Sequence, residues 1–183
     1  MTYIFDFDGT LSLIREGWQE IMIPYFCEEF FESVPDRTEN DEEVIALVTD
    51  FVDELTGKQT IFQCMQLKNE IEKRGGTAKE AMHYKNEYLR RLFLKIESKR
   101  KGLADGSISP DSLLVKGSVA FLEALKEKGV EIFCASGTDQ PQVIEEAKLL
   151  GLDKYFGENI FGALDEHASQ CSKELVINRV LKD

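Results

Sequence analysis

Two aspartates near the N-terminus, Asp6 and Asp8, are the pair of side chains best suited to do chemistry. They lie at the end of a short run of β-branched and aromatic residues, Thr2 to Phe7, which is too brief for a helix and predicts a strand. Its apolar residues do not alternate cleanly with polar ones, so we expect both faces of the strand to be buried, as in a parallel sheet. One carboxylate that attacks and a second that moves a proton are the minimum set for transfer through an acyl phosphate.

The position of the pair along the strand supports this chemistry. Open α/β sheets bind their ligands at the carboxyl ends of strands, and residues two apart in a continuing strand point to the same side. Gly9 lets the backbone turn close to a bound group. A plain solvated turn is the alternative, since Asp and Gly are common in turns. The segment Asp6-Phe7-Asp8-Gly9-Thr10-Leu11 favours function, because it resembles the first motif of the haloacid dehalogenase superfamily of phosphohydrolases.

A second candidate site is formed by Ser136 and Gly137. They follow a predicted buried strand, residues 130–135, and precede a predicted helix, residues 139–150. The Ser136 hydroxyl and the next backbone N–H groups can therefore hold a phosphate. An ordinary N-cap at Thr138 or Asp139 is the alternative. The position of this segment along the chain resembles the second motif of the superfamily.

Lys173 is the third candidate. It stands in the first turn of a predicted helix, residues 172–181, where the helix dipole disfavours a cation. A surface lysine is the alternative, but the unfavourable position favours a functional role. It resembles the lysine of the third motif, which in the family bridges the nucleophile and the phosphate.

Between the first two motifs the sequence predicts four amphipathic helices. A stripe from Trp18 to Phe30 marks the first, and Asn40 or Asp41 caps a second that ends at Gly57. The third covers Thr60 to about Lys73. A capping box of Thr77 and Glu80 begins the fourth, which runs to about Lys99. Four helices with short connections predict a small bundle.

The fold class that follows is α/β, a Rossmann-like parallel sheet core with an inserted helical-bundle cap. After a linker-like stretch, residues 102–110, strands and helices alternate, which predicts βαβ units. We expect residues 1–14 and 108–183 to form the core and residues 15–107 the cap. The crossings at residues 11–17 and 102–110 carry Gly, Ser and Pro, so we expect them to act as hinges.

The resemblance extends in outline over the whole chain and is to the subgroup with a four-helix cap, which includes phosphoglycolate phosphatases and β-phosphoglucomutases. It implies that Asp6 is the nucleophile, that Asp8 protonates the leaving group and later activates water, and that Ser136 and Lys173 hold phosphoryl oxygens. It also implies Mg²⁺ as cofactor, bound by Asp6 and by the backbone carbonyl of Asp8. The further residues expected at the substrate are Gly9, Thr10, Gly137, Arg15 and Lys58. For the segment that contains Lys58, residues 56–60, a polar turn between helices is the alternative.

One departure from the family pattern concerns the C-terminus. The sequence ends at Asp183, before the acidic pair that the family carries after a fourth strand. Asp165-Glu166 are acidic but follow the third strand, and predict a solvated loop. Two functions therefore stay open: a Mg²⁺-dependent phosphatase of small phosphorylated metabolites, sugar phosphates among them, and an impaired fragment or non-catalytic phosphate-binding module. We also expect an unpaired edge on the first strand and an exposed patch of Leu175, Val176 and Val180, which favour self-association.

Composition limits the partners. Lys plus Arg number 22 against 34 for Asp plus Glu, and the net charge of −12 argues against nucleic acid or an anionic membrane. The four cysteines are widely spaced, which is typical of reduced packing residues in a cytosolic protein. No signal peptide or long apolar run is present in the sequence, so we expect a soluble protein of the cytoplasm.

Overall fold

The structure, a computed structural model, describes residues 2–164 and 172–180. Predictions that concern Asp165, Glu166 and Leu181 lie outside these residues. The elements of the described residues are three strands, β1 (Thr2–Phe5), β2 (Glu131–Asp139) and β3 (Ile160–Ala163), a 3-10 turn (Pro110–Leu113), and the helices α1 (Gln19–Ser33), α2 (Asp41–Glu54), α3 (Thr60–Lys73), α4 (Ala81–Asp105), α5 (Ser118–Glu127), α6 (Gln140–Leu149), α7 (Asp153–Phe156) and α8 (Ser172–Val180).

The described strands form one parallel sheet in the order β1-β2-β3, which confirms the predicted α/β class. The central strand β2 is buried from Ile132 to Ala135, as expected for a strand with neighbours on both edges and helices on both faces. Helices α6 and α8 pack against β2 and β3. The strand–helix alternation in the sequence therefore predicted the sheet correctly.

Strand β1 corrects one expectation. It ends at Phe5 rather than Phe7, and its exposure alternates instead of being low on both faces. The rings of Tyr3 and Phe5 lie edge-on against Phe121 of α5, whereas Ile4 on the opposite face is 38% exposed. Among the described strands β1 pairs only with β2, so it lies at the edge of the described sheet and is less buried than a central strand. Self-association through this edge remains a prediction.

Helix α8 corrects a second expectation. Val176 was expected on an exposed patch, but it is buried against Phe133 and Ala135 of β2. The neighbouring Ile177 is exposed instead, at 43%. The side chains of Leu175 and Val180 lie outside the description. Val176 of the predicted patch therefore docks α8 onto the sheet, and this docking positions Lys173.

The chain divides into two compact units. The first comprises Met1–Glu16, Gly57–Gln59 and Ile96–Asp183, and the second comprises Gly17–Thr56 and Thr60–Lys95. The second unit is helical, and within it α1 packs against α2 and α3. The sequence-based division placed the whole of residues 15–107 in the cap. The end of α4 instead joins the first unit, where Lys99 Nζ donates to the carbonyls of Leu13 and Ile14, each at 3.1 Å.

The first three helices begin and end close to their predicted bounds, whereas α4 does not. Asn40, one of the two predicted caps, starts α2 with a reciprocal capping box to Glu43. The capping box of Thr77 and Glu80 does not form, and α4 begins only at Ala81. The Glu80 carboxylate instead binds Lys68 Nζ at 2.9 Å, an interaction between separate segments that no local pattern predicts.

The predicted linker at residues 102–110 is also corrected, because α4 continues through Gly102 to Asp105. Gly102 permits close packing: a Cβ there would lie 2.6 Å from the side chain of Ile108. The chain turns instead at Gly106, whose φ is +78°. The short helix α7 was not predicted.

Candidate active site

The carboxyl ends of β1 and β2 bring the two predicted motifs together. Asp6 and Asp8 follow β1, and Ser136 lies near the end of β2, beside Thr138. These strands are parallel neighbours, so their carboxyl ends meet at one edge of the sheet. The side chains that the sequence placed 130 residues apart along the chain thus converge, with Thr138 Oγ1 bonded to Asp8.

A tight turn after β1 sets the position of Asp8. The carbonyl of Phe7 accepts hydrogen bonds from the N–H groups of Leu11 at 2.9 Å and Ser12 at 3.0 Å. Gly9 provides the positive φ of +73° that the turn requires, a conformation that residues with a Cβ rarely adopt. Gly9 and Thr10, both expected at the substrate, are exposed here.

Lys173 lies next to Asp6, the predicted nucleophile. Its Nζ is 2.9 Å from Asp6 Oδ2, while Asp6 Oδ1 accepts the N–H of Phe7 at 2.9 Å. The Asp6 side chain is 36% exposed, so it is open to a ligand. Both carboxylate oxygens are therefore held in place, and a cation stands beside the group that would attack.

Asp8 is held by two hydroxyl groups. Oδ2 accepts hydrogen bonds from Thr138 Oγ1 at 2.7 Å and, more weakly, from Ser136 Oγ at 3.4 Å. Ser136 Oγ in turn accepts the N–H of Thr138 at 3.0 Å, which orients the Ser136 hydroxyl. The other oxygen, Oδ1, is buried without a hydrogen bond in the described residues and lies 3.9 Å from Arg15 Nε.

The pKa of Asp8 is raised above its ordinary value. Burial is the largest cause, since it disfavours the charged form, and the charges of Glu146 and Asp6 act in the same direction. Arg15 and the hydrogen bond from Thr138 oppose the rise without cancelling it. Asp8 thus holds a proton more readily than an exposed aspartate does.

Arg15 occupies a different place from the one expected of a substrate contact. It is 6% exposed and forms a two-pronged ion pair with Glu146, which is fully buried. Nη2 donates to Glu146 Oε1 at 2.7 Å, and Nε donates to Oε2 at 3.0 Å. Arg15 Nη2 also donates to Gln142 at 3.0 Å. Arg15 is therefore buried and paired with α6 rather than exposed to a substrate.

The loop Gly57–Gln59 belongs to the same compact unit as the sheet. The carbonyl of Lys58 packs directly onto Gly137, where any Cβ would collide with it. A Cβ on Gly57 would lie 3.6 Å from Lys173 Nζ, so the loop also borders the lysine. The side chain of Lys58 is exposed. Gly137 thus serves close backbone packing of this loop.

A comparison with known protein families gives a match over almost the whole chain. The family model described as haloacid dehalogenase-like hydrolase matches residues 1–180. The chain belongs to the haloacid dehalogenase-like hydrolase family. No match was found among curated proteins.

Solved structures share the fold of this haloacid dehalogenase-like hydrolase. A predicted phosphatase from Clostridium acetobutylicum aligns over 99% of the chain and 68% of its own length, at 20% identity and a TM-score of 0.55. A protein of similar description from Clostridium difficile aligns over the same shares at 20% identity and a TM-score of 0.52. At this identity the likeness establishes the fold.

None of the described helices combines the length and apolarity needed to cross a membrane.

Two residues of the site in this haloacid dehalogenase-like hydrolase were missed. Thr138 was considered only as a helix cap, although it gives Asp8 its shortest hydrogen bond. Glu146 was not singled out at all. A signal existed for Glu146, since it shares the buried face of α6 with Val143 and Ala147. A carboxylate on an apolar helix face needs a partner.

The oxygen atoms that could hold a metal are those implied by the family resemblance. They are the carboxylate of Asp6 and the backbone carbonyl of Asp8. Within residues 2–164 and 172–180, no group of three or more His, Cys, Asp and Glu side chains is arranged for a metal. Mg²⁺ commonly uses one or two carboxylates and fills its remaining positions with water and substrate phosphate. The donor set of this haloacid dehalogenase-like hydrolase therefore fits Mg²⁺ by its chemistry.

Proposed function

We propose that this chain is a phosphohydrolase that cleaves phosphomonoesters of small metabolites through an aspartyl-phosphate. The observation that carries the proposal is the contact of 2.9 Å between Lys173 Nζ and Asp6 Oδ2. It places a cation where the negative charge of an attacking carboxylate and a phosphate would meet. The hydrolase family to which the chain belongs supports the same class of reaction.

In the first step, an oxygen of Asp6 attacks phosphorus and the bond from phosphorus to the ester oxygen breaks. Asp8 gives its proton to the departing oxygen, so an alcohol leaves and the phosphoryl group remains on Asp6. The raised pKa of Asp8 supports this role, because a carboxyl must hold a proton before it can donate one.

In the second step, water attacks the phosphorus of the aspartyl-phosphate. Asp8, now a carboxylate, takes a proton from the water, and the bond from phosphorus to the Asp6 oxygen breaks. Phosphate is released, and Asp6 and Asp8 return to their starting states. The hydrogen bonds of Asp8 to Thr138 and Ser136 keep its carboxyl in one orientation through both steps.

The phosphoryl oxygens would be bound by Lys173 and by the Ser136 hydroxyl, with the backbone around Gly9 and Thr10 at the same edge. Asp6 and the backbone carbonyl of Asp8 would hold Mg²⁺, which when bound offsets the negative charge of the phosphate. The net charge of −12 does not attract anionic substrates, so these local cations must do so.

The substrates we propose are small phosphorylated metabolites, sugar phosphates among them. The loop Gly57–Gln59 lies against Gly137 and beside Lys173, so a molecule bound there by its phosphate would meet this loop. The exposed ammonium of Lys58 can bind a hydroxyl or a second anionic group of such a substrate.

A panel of phosphomonoesters, assayed with and without Mg²⁺, tests the proposal. We expect phosphate release with Mg²⁺, and its loss in Asp6→Asn, which keeps the shape of the side chain but removes the nucleophile. Asp111→Asn, an exposed carboxylate in the 3-10 turn, is the matched control and should behave as the wild type. Phosphate binding without turnover of any ester would instead indicate a binding module.

A further inference from the structure

We propose that Glu146 is a positioning residue for the reaction: it holds Arg15 away from Asp8, so that the carboxyl of Asp8 stays bound to Thr138 and available for proton transfer. This inference rests on the proposed role of Asp8 in the phosphohydrolase. It gives a function to a buried charged pair that the chemical steps do not use directly.

The hydrogen-bond geometry of Arg15 supports its pairing with Glu146 rather than with Asp8. Nε carries a single proton, and that proton is shared between the two oxygens of Glu146, at 3.0 Å to Oε2 and 3.2 Å to Oε1. The same Nε lies 3.9 Å from Asp8 Oδ1. The carboxylates of Glu146 and Asp8 therefore both face the guanidinium of Arg15. The hydrogen bonds from Nε go to Glu146.

Two residues of α6 anchor the guanidinium of Arg15. Glu146 and Gln142 are one turn apart on α6, and both accept hydrogen bonds from Nη2 of Arg15, at 2.7 Å and 3.0 Å. Glu146 is fully buried and Arg15 is 6% exposed, so water screens the pair very little. Helix α6 thus holds the guanidinium through these two side chains.

If Glu146 lost its charge, Asp8 Oδ1 would become the hydrogen-bond acceptor for Arg15. It is buried, and none of the described residues donates a hydrogen bond to it. A carboxylate oxygen in that state gains strongly from a charged donor that can reach it. Arg15 would then move toward Asp8 and bind Oδ1 directly, and the carboxyl of Asp8 would be held in a fixed ion pair.

Kinetics with two kinds of ester test the inference. Glu146→Gln removes the charge but keeps the size of the side chain. For an alkyl phosphate, whose leaving group needs a proton, we expect kcat/KM to fall about tenfold to a hundredfold, within the contribution of a positioned general acid. For p-nitrophenyl phosphate, whose leaving group departs as a stable anion, we expect little change. An equal loss for both esters would overturn the inference.

A second variant separates positioning from loss of structure. In Arg15→Met/Glu146→Leu both charges are absent, and such apolar replacements of a buried pair are commonly tolerated. We expect this double variant to cleave the alkyl phosphate faster than Glu146→Gln does, because no guanidinium remains to bind Asp8. A double variant as slow as Glu146→Gln, or slower, contradicts the inference.

The matched control is Glu145→Gln. Glu145 is the neighbouring carboxylate on α6 and binds Arg100 at 2.6 Å, but it is 59% exposed. The variant Glu145→Gln should leave unchanged the ratio of kcat/KM for the alkyl phosphate to kcat/KM for p-nitrophenyl phosphate.

A crystal structure of Glu146→Gln tests the inference without any assay. We expect Arg15 Nε within about 3 Å of Asp8 Oδ1, a hydrogen-bond distance. A guanidinium that remains against α6 overturns the inference. A wild-type chain without phosphatase activity would overturn the proposed function instead, whatever this structure showed.

Discussion

Lys173 Nζ and Asp6 Oδ2 lie 2.9 Å apart, although the two residues come from opposite ends of the chain. Asp6 follows β1, and Lys173 stands in the first turn of α8. Helix α8 reaches this position because Val176 is buried against Phe133 and Ala135 of β2. The contact therefore depends on the packing of a helix onto the sheet as much as on the two charges.

Replacing Lys173 by Met should lower kcat about a hundredfold to a thousandfold with Mg²⁺ present. The ammonium orients Asp6 and stabilises charge on the transferred phosphoryl group, and loss of one such donor commonly has an effect of this size. Steady-state kinetics on the best ester of the panel would measure the loss. Lys116→Met, at an exposed position, is the control. Equal losses in both variants would contradict the assigned role.

Thr138→Val should move the high-pH limb of the kcat/KM profile to higher pH. The hydrogen bond from Thr138 lowers the pKa of Asp8, because it favours the carboxylate. Its removal raises that pKa further, so Asp8 keeps its proton to higher pH. Profiles of wild type, Thr138→Val and the control Thr49→Val, a threonine on α2, would measure the shift. A limb that moves to lower pH would be the wrong sign.

Gly137→Ala should destabilise the first compact unit by about 1–3 kcal/mol, the usual cost of overpacking. The new Cβ would collide with the backbone carbonyl of Lys58, which cannot move without displacing the loop Gly57–Gln59. Lys58→Ala is the control, since it removes an exposed side chain and keeps the carbonyl. Thermal unfolding would show the difference. If Gly137→Ala melts with the wild type, the close contact is not maintained in solution.

Asn40→Ala should lower the free energy of unfolding by about 1 kcal/mol. Asn40 accepts the N–H of Glu43 at 3.0 Å, and Glu43 accepts the N–H of Asn40 at 2.9 Å, so one substitution breaks a reciprocal cap. Asn86→Ala, at an exposed position inside α4, should not destabilise, because Ala favours the helix interior. Chemical denaturation of both variants tests this, and an equal loss in both would exclude capping as the cause.

Glu87 should support stability only above acidic pH. Hydrogen bonds from Arg90 and Arg91 lower the pKa of Glu87 from 4.5 to about 2. A carboxyl with a lowered pKa contributes stability that is fully present above its unfolded pKa and is lost as pH falls through the folded value. The difference in melting temperature between wild type and Glu87→Gln should therefore shrink between pH 4.5 and about 2. A difference that stays constant across this range would contradict the shift.

Features that depend on neighbouring residues could be predicted from the sequence. The bounds of α3, Thr60–Lys73, agree with the prediction, because they follow from local helix patterning. The motif residues Asp6, Asp8 and Ser136 could be chosen by their positions after predicted strands, since parallel strands bring their carboxyl ends together. The parallel sheet itself followed from the alternation of strands and helices.

Interactions between distant segments were decided only by the tertiary structure. No local rule excludes the capping box of Thr77, yet Glu80 binds Lys68 instead. Arg15 had the sequence position of a substrate contact, and its pairing with Glu146 became visible only once α6 packed beside Asp8. Burial sets the energy of such charges, and burial is a property of the assembled fold rather than of any single segment.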